Sequence, residues 1–141
     1  MTCHFDVLLR DLNLKITPKR RAILDLLAEE KGYASPEELW RKLKLRFSRI
    51  GLPTVYRNLD ELAAGGVVTT ILHPDRKLYY YYCGNRSHHH HFVCLSCRRV
   101  EDLEFCSLAG VEQRVGGRVV SHLLQLNGYC RDCAAAGEGA Q

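Results

Sequence analysis

The sequence has only short apolar runs, which excludes a helix that spans a bilayer, so we expect no membrane partner. Its first residues mix charges with apolar side chains and lack a small-residue cleavage site, and we therefore expect a cytoplasmic protein without a signal peptide. Hydrophobic residues make up 46% and charged residues 26% of the 141 residues, which excludes global disorder. The length allows one domain or two small ones.

Cysteine and histidine are scarce in the first half of the chain. One of each, Cys3 and His4, precedes Ile71, whereas six of each follow it. In a reducing compartment these cysteines indicate metal ligands or redox centres rather than disulfides. Between Lys15 and Arg57, eleven Lys and Arg face five Asp and Glu, a net charge of +6. That excess fits a polyanionic partner, although a solvated surface would carry it equally well.

The first half has the periodicity of helices followed by a hairpin. Thr17-Pro18 predicts the start of a helix that runs to about residue 30, and Ser35 with Glu38 forms a second start signal, a capping box. A further helix begins near Pro53 and stops at a glycine pair. The β-branched segment 67–72 and the aromatic segment 78–82 then predict a β-hairpin. Helices that end in a hairpin describe a winged helix-turn-helix, which reads DNA.

The second half predicts an α/β arrangement. We expect strands at 91–95, 99–103 and 120–126, and a helix over 107–115. The fold class is therefore α+β, with a winged helix-turn-helix DNA-binding domain followed by an α/β domain. The small, polar residues from Ala134 onward are expected to fray.

Two CxxC pairs in this half predict a structural zinc site. Four thiolates on two tight turns close a tetrahedral site that suits Zn²⁺ and leaves no open position. A redox dithiol and four buried cysteines without metal are the competing interpretations. The predicted ligands are Cys94, Cys97, Cys130 and Cys133.

A run of four histidines before the first CxxC pair predicts further metal binding. In an extended strand, His89 and His91 face one way while His88 and His90 face the other. Cys83 lies six residues before His89, so a turn can fold its sulfur back toward the histidines. A thiolate with two imidazoles favours zinc over iron(II) or manganese, which prefer more oxygen. A buried apolar cysteine is the alternative for Cys83.

Each face of the histidine run needs more ligands. For the site with Cys83, we expect Asp102 as the fourth ligand and Glu101 as the second choice. His122 lies among apolar residues of the predicted third strand and is either a core histidine or a ligand. A possible third site would consist of His88, His90, Glu112 and His122.

The helix that begins at Pro53 is predicted to meet DNA bases. Arg57 could pair with a guanine and Tyr56 could pack on a thymine methyl group, because the N-terminal end of a recognition helix enters the major groove. The residues predicted at the bases are Thr54, Tyr56, Arg57 and Asn58. Those predicted at phosphates are Lys15, Lys19, Arg20 and Arg49.

These motifs together resemble the ferric uptake regulator family over about residues 5–133. The resemblance rests on segments 18–21, 54–59 and 128–133 and on the histidine run joined to the first CxxC pair. It implies a homodimeric bacterial repressor that binds palindromic double-stranded operator DNA under the control of a hinge metal. The implied domains are a winged-helix DNA-binding domain with its wing (1–82), a hinge (83–87) and a dimerisation and metal-binding domain (88–141).

Within the family, the chain looks most like the zinc uptake regulators. Iron and peroxide sensors typically place a histidine where this chain has Tyr33, and a carboxylate where it has tyrosines. Cys83 followed by His89 and His91 is similar to the zinc branch, so the expected regulatory metal is zinc, with iron(II) and manganese as alternatives. Arg98 stands where the family often has glycine.

Zinc regulators usually take another hinge ligand from the wing. Thr69 and Thr70 fall near that place and are poor zinc ligands, so His73 or Asp75 is the expected substitute. An enzyme, either a zinc hydrolase or a thiol oxidoreductase, is the distant alternative. Because the sequence lacks H-E-x-x-H, a deaminase signature and G-x-S-x-G, we expect no enzymatic activity.

Overall fold

The computed structural model of the chain describes residues 2–106 and 108–139. It divides into two compact units, residues 1–86 and 87–141, and this division lies within the hinge expected at 83–87. Among the described residues, no helix has the length and apolar character needed to cross a membrane.

The first unit begins with four helices whose starts follow from local capping. The Thr17 side chain accepts a hydrogen bond from the backbone N–H of Arg20 at 3.1 Å. Ser35 and Glu38 exchange the two hydrogen bonds of the predicted capping box, at 3.1 and 3.2 Å. The helices are α1 (Thr2–Asp11), α2 (Pro18–Glu29), α3 (Pro36–Leu43) and α4 (Leu52–Ala64).

The predicted hairpin follows as β1 (Val68–Leu72) and β2 (Leu78–Tyr82). The strands are antiparallel, with Val68 opposite Tyr82. Ala34 and Tyr80 exchange backbone hydrogen bonds of 2.9 and 2.8 Å, so the segment before α3 is tied to β2.

One apolar core joins the four helices and the hairpin. Its fully buried side chains include Leu24, Leu39, Leu59 and Leu62, and Trp40 donates its indole N–H to the Ile50 carbonyl at 2.9 Å. The arrangement confirms the predicted winged helix.

The second unit is built on a three-stranded sheet with the order β4-β3-β5. Strand β3 is antiparallel to β4 and parallel to β5. Gly128 in β5 allows close packing, because a Cβ there would lie 3.3 Å from the Phe92 ring. The elements are β3 (His90–Cys94), β4 (Val100–Leu103), α5 (Val111–Val115), β5 (Gln125–Gly128) and α6 (Arg131–Ala135). This mixed architecture confirms the predicted α+β class.

Three predicted boundaries in this unit were wrong. The helix expected over 107–115 forms only as the short helix α5. It is flanked by Gly110 and Gly116, whose backbones adopt the left-handed conformation (φ 82° and 74°). Residue 107 lies outside the described residues. The strand expected over 120–126 forms only from residue 125, and Val120 is 83% exposed. The first two residues of the expected frayed tail, Ala134 and Ala135, belong to α6.

Candidate metal centres and nucleic-acid interface

Four cysteine sulfur atoms of the second unit converge. Cys94 ends β3, Cys97 follows it in a turn, Cys130 precedes α6 and Cys133 lies in its first turn. Their sulfur atoms all lie within 4.8 Å of one another, and the Cys97 and Cys130 sulfurs are 3.7 Å apart. A tetrahedron with zinc–sulfur bonds of 2.3 Å has sulfur separations of about 3.8 Å. The spacing of the two CxxC turns therefore fits a zinc ion held by four thiolates.

Backbone amides favour the thiolate form at this site. The N–H of Cys130 donates to the Cys94 sulfur at 3.4 Å. Burial alone would raise the pKa of Cys94, but backbone N–H donors outweigh it and lower the pKa to about 6. A hydrogen bond with Cys130 and then burial raise the pKa of Cys133 to about 12. Because adjacent thiolates repel one another, all four ionise together only around a cation, and the donor set fits zinc.

The backbone conformation after the first CxxC pair is one that favours glycine, the residue that the resemblance expects at position 98. Arg98 adopts φ 69°, in the left-handed region that favours glycine. The glycine that the resemblance expects at this position would relieve that backbone conformation.

The register between β3 and β4 gathers a second set of ligands. His91 lies directly opposite Asp102, and His89 precedes it by two residues on the same face. The Nε2 atoms of His89 and His91 are 3.0 Å apart. An Asp102 oxygen lies 3.4 Å from Nε2 of His91 and 3.9 Å from Nε2 of His89. Glu101 instead lies opposite Phe92, so Asp102 is the carboxylate that accompanies the two histidines.

The buried member of this set is prepared to bind a metal. His91 is 6% exposed, and burial, followed by repulsion from His89, lowers its pKa. A lowered pKa keeps the imidazole neutral near pH 7, which is the form that coordinates metal.

The remaining expected ligands of this site lie in the first unit. Cys83 directly follows β2, is buried and forms no disulfide. In the wing turn, His73 Nδ1 lies 3.1 Å from an Asp75 oxygen, and the Tyr79 hydroxyl donates to the other oxygen at 2.8 Å. His73 and Asp75 are thus engaged within their own turn, and their role as ligands stays a prediction, as does that of Cys83.

A third group of ligands lies on the other side of β3. His122 Nε2 is 3.2 Å from His90 Nε2 and 3.1 Å from the Cys106 sulfur. The His88 ring is 4.8 Å from the rings of His90 and His122, measured between centroids. The possible third site therefore gathers three of its four predicted residues.

The fourth ligand of this group is a cysteine rather than the predicted Glu112. Among the described residues, the converging donor is Cys106, whereas Glu112 lies exposed on α5. Glu112 lies in the first turn of α5, a helix that spans only Val111–Val115 and has no buried residues. Cys106 was missed because an isolated cysteine has no paired spacing; its sole signal was that no other motif used it.

The N-terminal part of α4 presents polar side chains to solvent. Arg57 is exposed, Thr54 is half-buried, and the exposed Tyr56 donates its hydroxyl to Glu37 at 2.8 Å. A groove of about 470 Å³ lies between the N-terminal ends of α2 and α4, and Lys19 and Arg57 help to line it. Two helix N-termini with two cations suit phosphate oxygens. Lys15 and Arg49 are exposed and remain candidate phosphate contacts.

Two residues predicted to contact DNA, Arg20 and Asn58, make hydrogen bonds within the first unit. Arg20 is 5% exposed; it donates to the Asn58 side-chain oxygen and to the Lys15 carbonyl, both at 3.0 Å, and pairs with Glu61. The Asn58 amide donates to the Thr54 carbonyl at 2.8 Å. Arg20 and Asn58 are buried and join α2 to α4, but both also line the groove, so their assignment to phosphate and base stays a prediction.

Comparison with known proteins identifies the family. The profile of the ferric uptake regulator family matches residues 11–127. The chain belongs to the ferric uptake regulator family. The zinc uptake regulation protein of Mycobacterium tuberculosis H37Rv is 39% identical over 124 residues, which cover 85% of this chain and 95% of that protein.

Other members of the family show similar coverage. The ferric uptake regulation protein of Neisseria meningitidis serogroup B, strain MC58, is 32% identical over 137 residues, which cover 92% of this chain and 93% of that protein. A solved structure of a zinc uptake regulator complexed with zinc and DNA shares the fold with a TM-score of 0.78, at 22% identity, over 96% of this chain and 94% of that chain.

Membership confirms the predicted class of function. The chain is a metal-responsive DNA-binding repressor of the ferric uptake regulator family. Because the family consists of transcription regulators, membership favours this function over the alternative of a zinc hydrolase or thiol oxidoreductase.

Proposed function

We propose that this regulator senses zinc and represses metal uptake genes as a homodimer on palindromic operators. The observation that carries the proposal is the convergence of His89, His91 and Asp102, in a chain that supplies Cys83 a few residues earlier. Two imidazoles, one carboxylate and one thiolate form a tetrahedral set that suits Zn²⁺.

The choice of zinc over iron(II) or manganese rests on sulfur. The third group also contains a thiol, Cys106, at 3.1 Å from His122. Iron(II) and manganese gain less from thiolates and prefer oxygen ligands, which these two groups supply only through Asp102. The 39% identity with a zinc uptake regulation protein, against 32% with a ferric one, agrees with this choice.

The metals would have separate roles. We assign a structural zinc to Cys94, Cys97, Cys130 and Cys133, because a closed set of four thiolates stabilises the fold and leaves no position for regulation. The regulatory zinc would bind His89, His91, Asp102 and Cys83. Because Cys83 lies in the expected hinge, binding there would restrict the hinge conformations and favour the one competent for DNA.

The size of the conformational switch sets how strongly the regulatory metal must favour the DNA-competent form. A change from 1% to 99% of the DNA-competent form needs a metal that favours that form about 10⁴-fold. A site with a thiolate and two imidazoles can supply this discrimination for zinc, whereas loss of the thiolate would reduce it strongly.

A DNA-binding titration at buffered free metal tests the proposal. We would measure fluorescence anisotropy of a labelled palindromic promoter fragment against zinc, iron(II) and manganese. Zinc should promote binding at the lowest free concentration, and Cys83→Ser should raise the required zinc by orders of magnitude. Cys106→Ser is the matched control and should have a smaller effect, since it affects only the third group.

The amount of structural zinc retained by each variant is the second measurement. Both variants should retain one tightly bound zinc per chain by mass spectrometry, since neither touches the four-cysteine site. The proposal fails if Cys83→Ser keeps the parent's zinc response while iron(II) or manganese promotes binding by the parent equally well. An iron- or manganese-sensing regulator would then be the better assignment.

A further inference from the structure

We propose that Arg76, at the tip of the β1–β2 turn, enters the minor groove of DNA next to the major-groove site of α4 and favours A·T pairs there. The inference rests on the proposed DNA-binding function and adds a second point of sequence discrimination, located in the wing. It follows from the backbone conformation at Arg76, the rigidity of the turn and the position of the turn beside Tyr56.

The turn that carries Arg76 is held by a compact set of hydrogen bonds. The Arg76 N–H donates to the His73 carbonyl at 2.9 Å, and the His73 N–H donates to the Lys77 carbonyl at 3.1 Å. Asp75 accepts from the Lys77 N–H and from the Tyr79 hydroxyl, each at 2.8 Å. The Arg76 side chain is therefore presented from a fixed backbone, which lowers the entropy lost when it binds.

The fold gives no reason for arginine at this position. Arg76 has φ 71°, a left-handed conformation in which glycine or asparagine is favoured. Its side chain is exposed and makes no hydrogen bond or ion pair with any residue that the structure describes. A strained backbone that carries a solvent-exposed cation points to a role for the side chain outside the chain itself.

The turn lies on the same surface as the predicted recognition residues. A cavity of about 250 Å³ is lined jointly by Lys77 of the turn, by Leu78 at the start of β2, by Tyr56 of α4 and by Glu37 at the start of α3. The Tyr33 ring packs at 5.0 Å from Tyr79 and fixes the base of the turn against the segment before α3. Tyr56 and the residue that follows Arg76 in the turn therefore line one continuous surface, along which we expect a bound duplex to extend.

The charge and size of the tip match the minor groove. Arg76 and Lys77 are exposed cations, and the nearby Asp75 carboxylate is already engaged by the Lys77 N–H and Tyr79. The minor groove is about 6 Å wide, so it admits an arginine side chain but not a helix. Narrow A·T tracts have an enhanced negative potential that attracts arginine, and they lack the guanine amino group that would obstruct it.

Inosine substitution tests the groove directly. An I·C pair presents the minor-groove surface of an A·T pair and the major-groove pattern of a G·C pair. With zinc present, we expect the parent to bind operators with A·T or I·C pairs at the wing position about tenfold more tightly than operators with G·C pairs. Arg76→Gly should bind about tenfold more weakly to the A·T operator and lose this discrimination. Its melting temperature should stay equal or rise, because glycine accepts the left-handed backbone.

Two further variants separate groove readout from charge. Arg76→Lys keeps the charge and should recover part of the affinity with less discrimination, since lysine acts as a point charge. Arg118→Gly removes the same charge from an exposed loop of the second unit and should retain the full preference. The inference is overturned, while the proposed function stands, if the parent binds all three operators equally or if Arg76→Gly discriminates like the parent. Absence of zinc-dependent binding by the parent would overturn both.

Discussion

At the scale of single residues, Lys19 and Arg20 are neighbours in sequence but differ in role. Arg20 is buried between α2 and α4, where it donates a hydrogen bond to the Asn58 side chain and forms an ion pair with Glu61. We expect Arg20→Ala to lower the free energy of unfolding by about 2–3 kcal/mol, because a buried side-chain acceptor loses its donor and packing is lost. Urea denaturation followed by circular dichroism measures this change.

Lys19→Ala is the matched control and should leave stability within about 0.5 kcal/mol of the parent. It should weaken binding to all DNA sequences similarly and reduce the salt slope of binding by about one for each subunit on DNA. Equal stability of the Arg20→Ala protein and the parent would show that Arg20 does not hold the two helices together.

Arg57 should act on sequence preference rather than on stability. Its side chain is exposed at the N-terminal part of α4, beside the groove between α2 and α4. We expect Arg57→Ala to weaken operator binding by about 1–3 kcal/mol per half-site and to relax preference at one base pair. Competition against single-base operator variants measures this. An unchanged preference would place the base-reading residue elsewhere on α4.

At the scale of elements, the β3–β4 register makes neighbouring carboxylates differ in role. Asp102 lies opposite His91 and Glu101 lies opposite Phe92, so only Asp102 shares a face with the histidines. We expect Asp102→Asn to weaken zinc binding at the regulatory site by about tenfold or more, since the charged oxygen ligand is lost. Competition with a fluorescent zinc chelator measures the affinity.

Glu101→Gln removes the same charge one residue away and should keep the parent's zinc affinity. Equal losses in the two variants would mean that net charge, rather than coordination, sets the affinity, and the ligand assignment of Asp102 would then be wrong.

Elements with local signals were predictable from the sequence. The capping residues Thr17 and Ser35 located two helix starts, and the change from helical spacing to β-branched and aromatic residues located the hairpin. Two-residue alternation separated His89 and His91 from His88 and His90, because strand geometry alone decides that.

Features that depend on tertiary contacts were not predictable. Burial of Arg20 depends on where α4 packs, and a cationic residue near a helix start looks the same whether it faces DNA or Glu61. The strand expected over 120–126 forms only in its last residues, and among the described residues 120–123 pair with no neighbouring strand. The contact between Cys106 and His122 joins residues that follow no sequence spacing.

At the scale of the whole molecule, the two units differ in what stabilises them. The first unit has one continuous apolar core, whereas the buried apolar side chains described in the second are Val93, Val100 and the cysteines 94 and 130. A small unit with so little core depends on metal or on association. We expect Cys97→Ser to unfold the second unit and leave the first folded, because a structural zinc site contributes about 10 kcal/mol or more.

Calorimetry and limited proteolysis would test this difference between the units. Cys97→Ser should lose the zinc, yield a protease-resistant fragment near residues 1–86 and retain a transition for the first unit. A zinc-free Cys97→Ser protein with both units folded would rule out a structural role for the four-cysteine site.

The second unit of a single chain exposes large apolar side chains, which the proposed homodimer would bury. These are Phe105, Leu108, Val115, Val120, Leu123, Leu126 and Tyr129. Soluble monomers rarely expose such a concentration of apolar surface, and this exposure supports the proposed homodimer. We therefore expect Leu123→Asp to dissociate the dimer, because association would bury an unpaired charge. Sedimentation equilibrium measures the shift from dimer to monomer.

Leu45 provides the matched control for this substitution. It is 90% exposed in the first unit, against 79% for Leu123, and Leu45→Asp should remain dimeric. If the dimer binds two half-sites together, Leu123→Asp should also lose most of its affinity for the full palindrome and keep its affinity for one half-site. The affinity falls because two DNA-binding units are no longer tethered to each other. A Leu123→Asp protein that stays dimeric would place the subunit interface on another surface.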